Sequence, residues 1–192
     1  MKLAISYYQD ENVVELARSF IGKVLASNIG GVLTSGIISE TEAYAGIHDR
    51  ASHAWGDRHT VRTAPMYRDG GIAYVYLIYG MYSLFNIVTA PAGIPHAVLI
   101  RAIQPLNGID QMLARRNKKD LSGLADGPGK LSIAMGFHYS DSGEDLSGNR
   151  IWVEDRGIAV DPTQIKAGPR IGVEYAGEDA LLPYRFCWQR GD

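Results

Sequence analysis

The chain is 192 residues long with 46% hydrophobic and 21% charged side chains, the profile of one ordinary globular domain and not of a disordered or fibrous segment. A formal net charge of −2 argues against indiscriminate binding to polyanions, so any contact with nucleic acid must come from a local concentration of cations. Its single cysteine, Cys187, excludes an intrachain disulfide and a thiolate zinc cluster and is expected in the core, and no stretch is apolar for long enough to span a bilayer, which together fit a cytoplasmic protein.

Asp10 is placed to cap a helix over 11–26, because Val13, Leu16, Ala17, Phe20, Ile21, Val24 and Leu25 recur at helical spacing ahead of Gly30-Gly31. From Val32 to Tyr44 the pattern becomes that of a strand, and if no bulge interrupts it Ile38, Glu40, Glu42 and Tyr44 share one face. Residues 45–71 carry three His and four Arg with little apolar periodicity; an irregular stretch of that length in a compact domain is usually active-site or binding material. Two aromatic and β-branched runs, Ile72 to Tyr79 and Met81 to Val88, flank Gly80 and predict a β-hairpin turning near Tyr79-Gly80. Ala97 to Ile103 is a further strand whose apolar run is broken by Arg101. Helices are expected over 109–118 and 128–136, the second opening on Gly127-Pro128-Gly129-Lys130, and short strands over 150–154, 169–175 and 184–189. Strands and helices do not alternate regularly. The expected fold is α+β: one domain with a mainly antiparallel curved sheet, surrounding helices and a protruding hairpin.

Two carboxylates, Glu40 and Glu42, stand two residues apart on one strand, about 6.5–7 Å between Cα atoms, a separation compatible with sugar-bond hydrolysis. Spacing alone favours a solvated strand face and does not tell the two apart. Arg101, set among Val98, Leu99, Ile100 and Ile103, needs a carboxylate partner if buried, and either Glu would serve, in a structural pair or a functional one. His48, Asp49, His53 and His59 are too irregularly spaced for the usual zinc-hydrolase pattern, and no metal or other cofactor is expected. Eleven tyrosines, five of them at Tyr67, Tyr74, Tyr76, Tyr79 and Tyr82, offer aromatic surfaces for stacking a planar base. Arg50, Arg58, His59, Arg62 and Arg68 form one local basic cluster, and Arg115, Arg116, Lys118 and Lys119 a second.

The ordered motifs Glu40-Thr41-Glu42-Ala43-Tyr44, His53, Tyr74 through Tyr82, Asn86 and Leu99-Ile100-Arg101-Ala102 resemble those of the alkyladenine (3-methyladenine) DNA glycosylase family, with further matches at Gly127-Pro128-Gly129-Lys130 and Arg170-Ile171-Gly172-Val173. The resemblance covers nearly the whole chain and is strongest from about 38 to 103. It implies a monofunctional enzyme that flips an alkylated or deaminated purine out of double-stranded DNA and hydrolyses its glycosidic bond with water, leaving an abasic site. It also implies roles. Glu42 becomes the general base, with Arg101 and the carbonyl of Ile171 holding the water. Tyr44, His53 and Tyr76 hold the flipped base, Asn86 screens its substituents, and Tyr79 wedges into the minor groove. Met66, Arg58 and Arg62 contact the opposite strand and the backbone, and Lys130 adds a phosphate contact at a helix N-terminus. A monomer with no obligatory protein partner is expected. The reading from a different class is a lesion-binding module that flips bases without hydrolysing them; it shares every aromatic feature, and only Glu42 and Arg101 speak against it.

Overall fold

The computed structural model describes residues 1–189 and has the expected α+β architecture: one antiparallel sheet with helices on one face and irregular loops on the other. The sheet is built from β1 (Val24–Ile29), β2 (Val32–Tyr44), β3 (Ala73–Ile78), β4 (Tyr82–Thr89), β5 (His96–Asn107) and β6 (Ile151–Glu154), in the order β3-β4-β5-β2-β1-β6. The long strand β2 pairs with β5 along one side. Its other side is shared between β1 and a late strand, β8 (Arg185–Trp188), which also pairs with β7 (Ile165–Gly168).

The alternation of side chains along these strands divides the domain. Ala73, Val75, Phe85, Ile87, Val98, Ile100 and Ala43 point to the main core, where they meet α1 (Val13–Ser19), α2 (Ile109–Arg116) and α3 (Pro128–Met135). Their neighbours Tyr74, Tyr76, Leu84, Asn86, Ala97, Leu99 and Tyr44 point to the opposite face and line a cleft beneath the loops.

The helix expected over 11–26 stops at Ser19. Asn12, not Asp10, is its cap, its side chain accepting from the Glu15 amide at 3.2 Å, and Gly22 turns the chain at φ +88° into β1. Val24, Leu25 and Ala26 are fully buried. Their apolar run satisfies a strand covered on both faces as well as a helical stripe, and pairing with β2 decides it. Gly30-Gly31 is then the tip of a hairpin, both residues at positive φ as a mirror-image two-residue turn requires, and not a helix terminator. The strand expected over 169–175 is likewise absent. Pairing ends at Gly168, and residues 169–173 run irregularly across the cleft because Arg170 and the Ile171 amide are bound to side chains instead of a ladder.

A paired irregularity in β2 and β5 determines what faces the cleft. Ser39 on β2 and Arg101 on β5 have no cross-strand partner, so the facing alternation slips by one on both strands. Ile38 therefore joins the core with Thr41 and Ala43, while Glu40, Glu42 and Tyr44 share the opposite side with Arg101; the four-residue face expected in the absence of a bulge loses Ile38.

Candidate active site

The cleft has a volume of about 390 Å³ and is walled by the hairpin, the 51–66 loop, β5 and the segment Ile171–Tyr175. Glu42 lies beneath its floor with 0% exposure. One carboxylate oxygen accepts the Ile171 N–H at 2.8 Å and stands 3.3 Å from Nη1 of Arg101; the other accepts the Tyr44 hydroxyl at 2.8 Å. Burial raises the Glu42 pKa above the ordinary carboxyl value, and Arg101, the Ile171 amide and the Tyr44 hydroxyl oppose that rise. A carboxylate in this setting is a stronger base than one in water, and two hydrogen-bond donors and one guanidinium oppose its protonation.

Glu40 is engaged by two guanidinium groups. It accepts from Nε of Arg101 at 2.9 Å and from Nη1 of Arg185 at 3.1 Å, and so fixes the guanidinium that reaches Glu42. Two acids and two arginines form a network of zero net charge, which makes the burial of Glu42 tolerable. Cys187, expected in the core, is only half-buried at the edge of this network, 3.4 Å from Nη1 of Arg185.

Above Glu42 the walls are aromatic. The His53 ring meets Tyr76 edge-on at 4.6 Å between centroids, and its Nδ1 is 2.8 Å from the Tyr74 hydroxyl. Burial, then Arg62 and Arg58, lowers the His53 pKa to about 4, so the ring is neutral at neutral pH. Burial raises the phenols of Tyr44 and Tyr76, which stay protonated. Asn86 is buried, and its Nδ2 donates to the carbonyls of Tyr74 and Leu84 at 3.1 and 3.2 Å, which pins the side chain against the pocket.

The cleft thus gathers Tyr44, His53, Tyr76, Asn86, Arg101, Ile171, Arg62, Met66 and Tyr79 from the expected set, with Glu42 directly behind. Three placements differ from expectation. Met66 is 1% exposed and packs with Ala54, Ile72, Tyr74, Val88 and Ala97, so it braces the pocket wall and cannot project to an opposite strand. Lys130 does lie in the first turn of α3, but its ammonium is already paired with Asp126 at 2.8 Å, while the neighbouring Pro128 is what reaches the cleft. Ile171 contacts Glu42 through its amide. Arg58 is exposed in the loop beyond Gly56. Of the second basic run, Arg115 donates to the carbonyls of Ala134 and Ile29 and Arg116 to that of Leu124, so both guanidinium groups hold loops together. Among the described residues, no group of three or more His, Cys, Asp or Glu could hold a metal; Asp49 is bound to Arg170 and His59 to Asp57.

Some residues of the site have no individual role assigned by sequence. Tyr74 orients His53, and its spacing of two from Tyr76 on one strand was the available signal. Arg170 is buried between Tyr44 and Tyr184, its guanidinium 4.9 and 5.2 Å from their ring centres, and donates to Asp49, to the Ala43 carbonyl at 2.8 Å and to the Asp179 carbonyl at 3.1 Å. It stood in a recognised motif with no role attached. Tyr175, largely exposed on the cleft rim, hydrogen-bonds the Ala51 carbonyl at 3.1 Å.

A family model described as methylpurine-DNA glycosylase (MPG) matches residues 6–191 of the chain. A protein of Bacillus thuringiensis (strain Al Hakam) named "Putative 3-methyladenine DNA glycosylase" is 41% identical over 198 residues, covering 98% of this chain and 96% of its own. A protein of Bacillus cereus (strain G9842) with the same name is 42% identical over 199 residues with the same coverage. The motifs, the sheet that presents them and these matches agree, and the chain belongs to the methylpurine-DNA glycosylase family, hydrolases that act on N-glycosyl bonds in DNA repair.

Proposed function

We propose that the protein flips alkylated or deaminated purines of the 3-methyladenine, hypoxanthine and ethenoadenine class from duplex DNA and hydrolyses the glycosidic bond with water activated by Glu42. The observation that carries this reading is a wholly buried carboxyl group at the base of an aromatic cleft, contacted by Arg101, the Ile171 amide and the Tyr44 hydroxyl. An ionised carboxyl has about four acceptor positions. The Ile171 amide and the Tyr44 hydroxyl fill two and Arg101 stands beside a third, which leaves one for a water, whose proton Glu42 takes as it attacks the sugar carbon. The same carboxylate stabilises the positive charge that develops on the deoxyribose as the bond to the base breaks. No lysine adduct is needed, and the product is an abasic site in an uncut strand.

Base extrusion costs a few kcal/mol, and least at a lesion. Stacking against Tyr44 and Tyr76, roughly 1–3 kcal/mol per base, offsets it. Asn86, pinned by two carbonyls, supports the reading of a fixed steric screen against bulkier substituents. Tyr79, at the hairpin apex with 83% exposure, is positioned to fill the gap, and Arg58 and Arg62 supply local positive charge for the backbone of an otherwise acidic protein. The protein acts as a monomer in the cytoplasm on this reading.

The test is a duplex carrying one hypoxanthine or ethenoadenine, incubated with wild type and with Glu42→Gln, with and without chelator. Base release that survives the chelator and is lost in the variant is the expected result. Lesion binding without release by the wild type would favour the noncatalytic module, and full activity in Glu42→Gln would refute the mechanism.

A further inference from the structure

Arg62 extends from the exposed 57–62 loop into the cleft. Its guanidinium carbon lies 4.7 Å from the centre of the Tyr76 ring, and Nη2 is 3.2 Å from Nε2 of His53. Arginine can only donate, so Nε2 of His53 is the acceptor and Nδ1 carries the proton directed at Tyr74. Among the described residues no carboxylate pairs with Arg62; the nearby Asp57 is bound to His59 and Tyr67. The side chain is therefore held over the cleft by an aromatic face and an imidazole nitrogen beside the Tyr74 hydroxyl, with no carboxylate. A guanidinium is planar, cationic and edged with N–H donors, so it occupies a stacking face and a hydrogen-bond acceptor that a purine in the same cleft would require.

We propose that Arg62 is a tethered occupant of the base site, resting on Tyr76 and His53 in the DNA-free protein and displaced when a flipped purine enters. This deepens the glycosylase reading and rests on it. Occupancy sets a threshold, because every incoming base must outcompete the cation on Tyr76, a handicap of roughly 3- to 30-fold for a partly desolvated contact of this kind. A base that is well paired in the duplex and stacks weakly does not clear it; a poorly paired, electron-poor one does. Displacement also has a second effect. It frees a guanidinium beside the extruded nucleotide, where a phosphate is within reach of the same loop, so entry of the base and grip on the backbone are exchanged for one another.

Binding of free ethenoadenine in the absence of DNA tests the occupant directly, since no phosphate is present. Calorimetric titration of wild type, Arg62→Ala and Arg62→Lys should show the Ala variant binding the base about 3- to 30-fold more tightly, with Lys, which lacks the plane, in between. Equal or weaker binding by Arg62→Ala overturns the proposal, and so does undetectable binding by it, because an uncovered platform should then be open. On duplexes, the wild type should show a salt dependence steeper by about one counterion for the lesion than for undamaged DNA, an excess absent in Arg62→Ala. An Arg62→Ala loss of affinity equal on both duplexes, with no salt difference, would make Arg62 a plain phosphate contact. Base release from the lesion duplex judges the glycosylase reading separately: its absence in wild type indicts that reading, whereas its presence with unchanged free-base binding indicts only the role of Arg62.

Discussion

Arg170 and Asp49 form a buried ion pair one peptide bond away from the amide that holds Glu42: Nη2 of Arg170 is 2.8 Å from one Asp49 oxygen, Nη1 is bound to the other, and the next residue, Ile171, donates to the Glu42 carboxylate. Asp49 also accepts the amides of Ala45 and Ala51, so this pair joins the end of β2, the loop that carries His53 and the segment crossing the cleft. Removing one partner leaves a buried charge uncompensated. Asp49→Ala should cost about 3–5 kcal/mol of stability and lower the melting temperature by roughly 6–20 °C in a calorimetric scan. A shift under about 2 °C would show that Arg170 finds another partner.

Glu42 carries the opposite signature. Its pKa is raised in the folded state chiefly by burial, so folding favours the protonated form, and ionising the group weakens the fold as pH climbs past its unfolded value and through its folded one. Gln keeps the acceptor for Ile171 and Arg101, and Arg101 retains Glu40. Glu42→Gln should therefore lose at least about 100-fold in single-turnover rate while melting at or above the wild-type temperature at pH 7, with the difference fading near pH 4. A markedly lower melting temperature at pH 7 would mean that Arg101, the Ile171 amide and the Tyr44 hydroxyl together stabilise the carboxylate by more than its burial costs.

The rate should rise with pH along a single limb whose midpoint lies above the ordinary carboxyl value of 4.5. His53, held down to about 4, is already neutral over most of that range and contributes only at the acid end. The Tyr44 hydroxyl lowers the Glu42 pKa, so Tyr44→Phe, which keeps the ring, should move the midpoint to higher pH. Single-turnover profiles from pH 4 to 8 read this, and an unmoved or lowered midpoint would assign the limb to another group.

Tyr79 occupies the left-handed region at φ +54°, an uncommon conformation for a bulky residue, beside Gly80 at φ +68° in a turn closed by Met81 N–H to the Ile78 carbonyl. Strain at an exposed apex suits a side chain kept for its reach. Tyr79→Asn should keep or slightly raise stability, because Asn tolerates this conformation, yet weaken binding to a lesion duplex about fivefold or more while affecting undamaged duplex less. Equal losses on both duplexes would show that the ring does not fill the gap left by the base.

The sequence alone determined much of this protein. The strand Val32–Tyr44, the hairpin turning at Tyr79-Gly80 and the helix opening at Pro128 were readable from period-two patterning, from a Gly at a turn and from Pro at a first helical position, all local preferences. Motif order likewise picks out Tyr44, His53, Tyr76, Asn86 and Arg101, which the fold gathers along one cleft. Tertiary structure decided what local preference leaves open. Val24 to Ile29 suits a helix and a strand equally, and only pairing with β2 makes it β1. Glu40 and Glu42 are equivalent by spacing. The double irregularity at Ser39 and Arg101 aligns both with one guanidinium, but Glu40 goes to Arg101 and Arg185, whereas Glu42 goes under the cleft because a segment 129 positions later in the chain lays the Ile171 amide across it. Which of two like carboxylates is buried under the cleft is thus settled by long-range contacts, since desolvation and hydrogen bonding depend on what surrounds a side chain in space and not on its neighbours along the chain.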